Sequence, residues 1–457
     1  MATNRNKMDL TQGSILKNLL IFAIPIVLTN ILQQLYHAAD MIVVGNFAEN
    51  STASLAAVGA TTSITALCLN LFVGLAVGAN VVCARLFGAQ KHEDLRRAMH
   101  TSVFLAALCG IGIAVLGTLS ARTLLEWTGA PADVIDEATT YMQIIFLGQP
   151  GSIVYNFCAG ILRSHGDTKR PMYILMISGL INVLLNLVFV IAFHLDAAGV
   201  ALATVVSYYL SAGAALWILF SPRGEFRLSI SELRLGREVG SIASVGIPSG
   251  LNSMLFSISN VIIVVALNTL GGAALAGNSA AHNVDAMLYQ ILVAFYTACI
   301  SFAGQNFGAK RFDRIDKLWK TAILVTFLFF VGLDAVLCLF SEEVMHLFSQ
   351  DPQVISLGAL RMKILCGTYA IYVFPEISIG CARGMGKSVL TSVLNVICIC
   401  VPRILWVAFV FTALKTGDPY HDYGVLLWCY PISWALSGVA QVLCYRYYRS
   451  RLSRETV

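Results

Sequence analysis

The sequence predicts an all-α polytopic membrane protein of twelve transmembrane helices in two six-helix lobes, and three observations carry that prediction. Of 457 residues, 57% are hydrophobic and only 12% charged, against about 25% charged in an ordinary soluble chain. Long stretches contain no Asp, Glu, Lys or Arg at all. The Lys and Arg that remain fall in every second loop, and acidic residues fall in the loops between. No hydrophilic block is long enough to fold as a separate soluble enzyme, and a net charge of +5 spread in this order reads as a topology signal, not as nucleic-acid binding.

A helix that crosses the hydrocarbon core needs about 20 apolar residues. Charge-free stretches at 18–39, 50–84, 172–193, 197–221, 239–284, 286–309 and 423–445 meet that length. The longest divides at a turn signal between Asn268 and Gly272. Helices near 98–119, 134–161, 318–340, 354–381 and 388–413 complete the twelve. These segments are apolar all round, which excludes the alternating pattern of a lipid-facing barrel strand. The start of the chain is polar and its first apolar run continues into more membrane, so that run is expected to stay in the protein. The twelve cysteines lie mostly in apolar runs, without a CxxC pair or a Cys/His grouping at ligand spacing. Packing is their expected role, and no metal site is expected.

Orientation follows from the loops, because Lys and Arg near helix ends are retained in the cytoplasm. One set of loops carries Arg85, Lys91, Arg96 and Arg97; Arg163, Lys169 and Arg170; Arg223, Arg227, Arg234 and Arg237; Lys310, Arg311, Arg314, Lys317 and Lys320; and Arg383 and Lys387. Arg5, Lys7, Arg446, Arg449, Arg451 and Arg454 place both termini with them. Glu49, Glu126, Asp133, Asp196, Glu342, Glu343, Asp351 and Asp418 occupy the opposite set, where only Arg122 and Lys415 run against the trend. Both ends are therefore expected in the cytoplasm of a cell whose cytoplasmic membrane holds the chain.

The chain also matches itself at one constant offset. Phe87-Gly88-Ala89 recurs as Phe307-Gly308-Ala309; Gly160, Arg163 and Gly166 recur as Gly380, Arg383 and Gly386; Phe189-Val190 recurs as Phe409-Val410. Pro25 and Pro248, early in the first and seventh spans, correspond with a slip of three. Each residue alone reads as a generic turn or anchor, but a shared register reads as duplication. Six spans is an even number, so the two halves sit the same way up, related by an axis along the membrane normal. The predicted organisation is an N-terminal segment 1–13, a first lobe 14–220, a linker 221–236, a second lobe 237–448 and a tail 449–457. The linker is short and polar, which suits halves that rock against each other. Pro25 and Pro248 are the expected hinges, since proline removes an i−4 hydrogen bond from its helix.

These residues resemble the multidrug and toxic compound extrusion (MATE) transporters of prokaryotes. The resemblance rests on Pro25 followed by Ala39-Asp40 and Val44-Gly45; the Phe87-Gly88-Ala89 turn; Leu162 to Thr168 after the fourth span; and Arg383 to Lys387 after the tenth. It runs from about residue 14 to about residue 448. It implies a cation-coupled antiporter that expels organic, often cationic and amphipathic, compounds by alternating access. It also implies a coupling site formed by Asp40, Tyr141, Asn182, Asn186 and Thr204. Members with this pattern often carry a second Asp where this chain has Asn186, so a single carboxylate remains and proton coupling is expected ahead of sodium.

Chemistry in such a chain falls on ionisable groups inside spans, because a charged side chain at helix centre costs at least ~2.5 kcal/mol. Asp40, Asp285, Asp334, Glu376 and Arg403 form that set. A buried carboxyl favours its protonated form and an arriving cation favours the ionised one, so one Asp can exchange a proton for another cation. Asp40 is the leading candidate for that role. Glu376 and its counterpart at the repeat offset, Asn156, are expected to line the substrate cavity, with Asp285 as a further acid of the second lobe. A structural ion pair is expected among Asp285, Asp334 and Arg403, because an unpaired buried charge is costly. His37 and His282 each lie three residues before an Asp, on the same helix face, as candidate proton partners.

No cofactor and no enzymatic chemistry are expected; the coupling ion is H⁺ or Na⁺. The expected partners are a drug-like organic cation and the lipid bilayer, with the chain acting as a monomer. The alternative function is a flippase for lipid-linked oligosaccharides, a related superfamily that tends to bring Lys and Arg into its cavity.

Overall fold

The computed structural model of the chain describes residues 8–48, 51–131, 134–221 and 227–455. Arg5, Lys7, Glu49, Asn50, Asp133 and Arg223 lie outside the described residues, as do residues 222–226 of the expected linker and the ends of the chain.

Among the described residues, twelve helices are long and apolar enough to cross a membrane. We label them α1 (Ile15–Phe47), α2 (Ser51–Gly88), α3 (His92–Trp127), α4 (Ile135–Ser164), α5 (Lys169–Ala192), α6 (Asp196–Phe220), α7 (Glu238–Asn268), α8 (Gly272–Gly308), α9 (Phe312–Leu339), α10 (Pro352–Gly384), α11 (Ser388–Leu414) and α12 (Pro419–Leu452). The predicted division of the longest apolar stretch falls where α7 ends at Asn268 and α8 begins at Gly272. Several helices extend past the apolar windows through charged turns: α3 opens on Glu93 and Asp94. A length of 36 residues spans about 54 Å at 1.5 Å per residue, well beyond a hydrocarbon core of about 30 Å.

Local chemistry sets several ends. Asp351 and Asp418 each precede a proline at the first helical position and accept hydrogen bonds from the free backbone N–H groups of α10 and α12, the arrangement that satisfies an N-terminus best. Three spans are interrupted, α12 by a single turn residue at Trp428. α10 passes through a 3₁₀ turn at Cys366–Thr368, and α11 contains π-helical stretches at Val396–Cys400 and Trp406–Phe411. α5 ends in a similar π stretch at Val188–Ala192.

The duplication is visible in the backbone. Gln90 and Lys310 both adopt a left-handed φ, 57° and 56°, after the repeated Phe-Gly-Ala, and Gly166 and Gly386 do so at 85° and 77°. Each pair stands at the offset of the sequence repeat. The glycines fit because this region costs a side chain energy.

The chain groups into two compact units. One comprises Met1–Leu10 and Ile24–Gly250, the other Thr11–Ala23 and Leu251–Val457. The first turns of α1 thus belong with the second unit, and the first turns of α7 with the first unit. Each changeover lies beside a proline, Pro25 or Pro248.

Inside the first unit, α2 and the start of α7 cross on glycines. A Cβ on Gly74 would come within 2.3 Å of the Gly250 nitrogen, one on Gly78 within 2.2 Å of the Ile242 carbonyl, and one on Gly246 within 2.7 Å of Leu75 Cα. Gly74-xxx-Gly78 and Gly246-xxx-Gly250 therefore let two backbones touch, the small-residue packing that lipid-embedded helices use. On the same unit the linker is fastened to α3: the Ser229 N–H donates to His100 Nε2 at 2.8 Å, and Arg96 pairs with Glu232.

Within the second unit, Arg311 donates to the Thr11 carbonyl at 2.8 Å and Arg314 to those of Gln12 and Gly13. These bonds hold the chain just before α1.

Candidate functional site

Four of the five residues implied as the coupling site meet on three helices of the first unit. α5 carries a buried polar stripe, Ser178, Asn182 and Asn186, spaced four residues apart and so on one face. α6 presents Thr204, Ser207 and Ser211 to it, all buried. Ser211 Oγ donates to Ser178 Oγ at 2.8 Å, which closes one end of the stripe. At the other end stands Asp40 of α1, half-buried.

Asn186 Nδ2 donates to Asp40 Oδ1 at 2.5 Å. The amide of Asn182 is satisfied on both sides when its nitrogen donates to the same Asp40 oxygen at 3.1 Å and its oxygen accepts from the Thr204 N–H at 3.3 Å. Two amides therefore converge on one carboxylate oxygen. The Asn186 Oδ1 atom is buried with no hydrogen-bond partner, an acceptor free to take a proton donor or a cation. Tyr141 of α4 and Tyr208 of α6 sit where the charge of Asp40 acts on them, without a hydrogen bond to it. Sequence reasoning included Tyr141 and missed Tyr208, although Tyr208 stands one turn after Thr204 and so shares its face.

α1 is held against α5 by Tyr36, whose hydroxyl donates to the Met176 carbonyl at 3.2 Å. The ring lies directly on Gly179: a Cβ there would fall 1.8 Å from Tyr36 Cε2. His37, the expected proton partner of Asp40, is exposed and forms no hydrogen bond with it. Three residues along a helix give a common side, but here the Asp turns toward α5 and the His does not. Thr29 Oγ1 donates to the Pro25 carbonyl at 2.7 Å, and the helix continues through the proline.

The ionisable groups of the second unit are arranged otherwise than expected. Asp285 does pair, but with Arg361 at 2.7 Å, not with Arg403. Arg361 also donates to Asn278 Oδ1 at 2.6 Å, an atom that accepts from the Tyr423 hydroxyl at 3.0 Å. His282 Nδ1 lies 3.5 Å from Asp285 Oδ1, so this His does adjoin its Asp. Arg361 is absent from the sequence-derived set of intramembrane charges because it sits a few turns from the polar end of its span, where it reads as an interface anchor. Asp334 takes no cation either. Its Oδ2 accepts from the Ala370 N–H at 2.9 Å, a donor that the 3₁₀ break in α10 leaves without an i−4 carbonyl.

Glu376 is 8% exposed and lies beside the Tyr372 hydroxyl, within the field of Arg383. Aromatic rings crowd it: Tyr372 stacks on Trp434 at 5.1 Å and on Tyr289 at 6.4 Å between centroids. Arg383 donates to the Tyr296 hydroxyl at 2.5 Å and to Ser392 Oγ at 3.1 Å. Asn156 turns its amide back onto its own helix, donating to the Ser152 carbonyl at 2.9 Å. Among the described residues there is no group of three or more His, Cys, Asp or Glu able to hold a metal.

Twelve spans and a single half-buried carboxylate met by two amides define a polytopic membrane protein with the fold of a secondary transporter. The MatE family model matches residues 25–188 and again 248–407, so the chain belongs to the MatE family, and each half carries one copy of the family unit. It is 27% identical over 96% of its length to the probable multidrug resistance protein YpnP of Bacillus subtilis, covering 97% of that protein. It is 25% identical to the probable multidrug resistance protein NorM of Thermotoga maritima, over 86% of this chain and 85% of that one. Among solved structures, an outward-facing MATE transporter of the MOP superfamily aligns with a TM-score of 0.90 at 22% identity, over 99% of this chain and 100% of the other.

Proposed function

We propose that this chain exports drug-like organic compounds, cationic and amphipathic ones foremost, across a bacterial cytoplasmic membrane by alternating access, in exchange for protons taken up at Asp40. The observation that carries the reading is the convergence of Asn186 and Asn182 on the single carboxylate of α1. An ionised Asp40 uses both amide donors; a protonated one has less to offer them, so the α1 to α5 contact differs between the two protonation states. Pro25 supplies the point about which the rest of α1 moves, and Pro248 serves α7 in the same way. A proton that binds the two states unequally shifts their balance, and that inequality is the coupling.

Sodium is the second reading, supported by the oxygen atoms of Asp40, Asn186, Tyr141 and Thr204, with one carboxylate to balance the charge. Glu376, with its wall of tyrosines and Trp434, supplies the negative charge and apolar faces that an amphipathic cation requires, whereas Asp285 is taken by Arg361 and the Asn156 amide by its own helix. The relatives' names, multidrug resistance and multidrug export proteins, support cargo of this class. Both termini face the cytoplasm by the distribution of Lys and Arg, and the chain works as a monomer.

The test is ethidium efflux from proteoliposomes that contain the purified protein under an imposed pH gradient. Wild type extrudes the dye; a protonophore collapses efflux, and removal of sodium leaves it unchanged. Asp40→Asn reduces efflux to the protein-free background. Full coupled efflux by that variant sinks the proposal, and efflux that follows sodium and ignores the protonophore replaces the proton with sodium. Transport of lipid-linked oligosaccharide without dye efflux would favour the flippase.

A further inference from the structure

Arg403 of α11 is among the largest fully buried side chains of the protein, at 1% exposure. Its Nε donates to Ser433 Oγ at 3.1 Å and its Nη1 to Asn260 Oδ1 at 2.9 Å. The guanidinium lies over the Tyr430 ring at 4.4 Å and near that of Phe256 at 5.1 Å. Its Nη2 is buried with no partner. Among the described residues no carboxylate pairs with it: Asp285 is held by Arg361, Asp334 by the Ala370 N–H, and Glu376 adjoins Tyr372. Two neutral hydrogen bonds and two ring faces return less than a cation loses when it leaves water. A full positive charge with a free N–H edge is left inside the unit.

A second observation gives that charge a meaning. Asn260 stands 220 residues after Asp40, the step that relates Phe87 to Phe307, and one helical turn before the position that the step of 223 from Pro25 to Pro248 in the same two helices gives. In the first unit a bond between Asp40 and Asn186 joins α1 to α5; in the second a bond between Asn260 and Arg403 joins α7 to α11. The counterpart of Asn186 is Trp406, and Arg403 stands one helical turn before it, on the same side of α11. Asn186 and Arg403 each lie next to a π-helical stretch, Val188–Ala192 in α5 and Trp406–Phe411 in α11, the irregularity that marks functional positions in helices. The same helix pair thus carries a carboxylate among amides in one unit, and a guanidinium among an amide, a hydroxyl and rings in the other. The charge is inverted.

We propose that the α7 and α11 pair is an anion site, in which Arg403 Nη2 receives a monoanion that is either a free halide or a carboxylate group borne by the cargo. One free guanidinium edge matches the few acceptors of a monoanion, since the Ser433 hydroxyl is already committed to the Tyr430 carbonyl at 2.8 Å. A phosphate dianion would bring more charge and more acceptor atoms than the site can satisfy. The site goes beyond the proton-coupled reading above and does not depend on it, because its test needs no transport.

The experiment is thermal unfolding of the purified full-length protein in detergent, with isethionate as the background anion and chloride, bromide, acetate or benzoate exchanged for it at constant ionic strength and constant sodium. The expected result is a saturable rise of several degrees in the midpoint of the wild type, as binding to the folded state alone requires. Arg403→Gln removes the rise. Asn260→Asp removes it as well while keeping the arginine, because a carboxylate fixed beside Nη1 takes the anion's place; this variant serves if Arg403→Gln fails to fold. A rise with halides alone identifies the occupant as a free ion, and a rise with acetate and benzoate alone as a carboxylate of the cargo. No saturable rise with any anion overturns the site. A saturable rise of wild-type size in Asn260→Asp overturns it too, since the anion then binds elsewhere.

Discussion

Asn186 spends its amide nitrogen on Asp40 at 2.5 Å while its own oxygen is left buried and unbonded. The residue that brings a neutral donor to the carboxylate therefore also holds an acceptor in reserve. A second negative charge at this position would make the cluster a site for a hard cation, because two carboxylates in contact cannot both stay ionised without one.

Asn186→Asp is expected to shift coupling toward sodium. Ethidium efflux from proteoliposomes, driven by an inward sodium gradient at equal pH on both sides, should rise several-fold over wild type, and the response to a pH gradient should weaken. Efflux that stays indifferent to sodium would show that the geometry at residue 186 does not select the ion.

The buried pair of Asp285 and Arg361, at 2.7 Å, predicts a non-additive result. Arg361→Met strands a carboxylate and should cost about 3–5 kcal/mol. Adding Asp285→Leu removes the stranded charge and should return the protein to within about 1 kcal/mol of wild type. Thermal unfolding in detergent of the two single variants and the double variant reads the coupling; equal losses in all three would assign the cost to packing.

Gly179 is where α5 makes room for Tyr36. Gly179→Ala should displace that ring and break its bond to the Met176 carbonyl, at a cost of about 1–3 kcal/mol as for other overpacked sites. Tyr36→Phe keeps the ring and loses the bond, so it should cost less. Lower unfolding temperatures in that order, alanine variant below phenylalanine variant, check the claim.

The crossing of α2 with the start of α7 allows no side chain between them. Gly78→Val and Gly246→Val should each destabilise the protein by more than the same change at Gly112 or Gly213, where a Cβ would meet nothing within 4 Å. Yield of monodisperse protein after extraction, together with its midpoint of unfolding, measures the difference.

Much of this architecture could be read from the residues. The Gly271-Gly272 turn separates α7 from α8, and the register of the repeat recurs in the paired left-handed residues Gln90 and Lys310. Charge-free runs report helices directly, because a bilayer leaves the backbone no other way to satisfy its hydrogen bonds. The partnerships inside the second unit were not legible. Asp285 and Arg361 lie far apart in the chain, and nothing local distinguishes an Arg that reaches inward from one that anchors a helix end at the interface. The role of Asp334 was hidden for another reason: it answers a break at Cys366–Thr368, where a single glycine, Gly367, is the local sign and Pro375 falls about two turns later. Clustering of Asp40, Asn182, Asn186 and Thr204 came through the family resemblance, since each residue alone reads as ordinary helix packing.

The trade of helix ends between the two units bears on how the protein is made. The first unit is still incomplete when α6 has been made, since it includes Glu238–Gly250, and the opening turns of α1 wait still longer for the segments from Leu251 onward. A nascent chain halted after α6 would present an unfilled groove where Gly74 and Gly78 await their counterpart. Cleaving the gene in the linker and coexpressing the fragments should therefore yield active protein only when both pieces are inserted together, and neither fragment should accumulate alone.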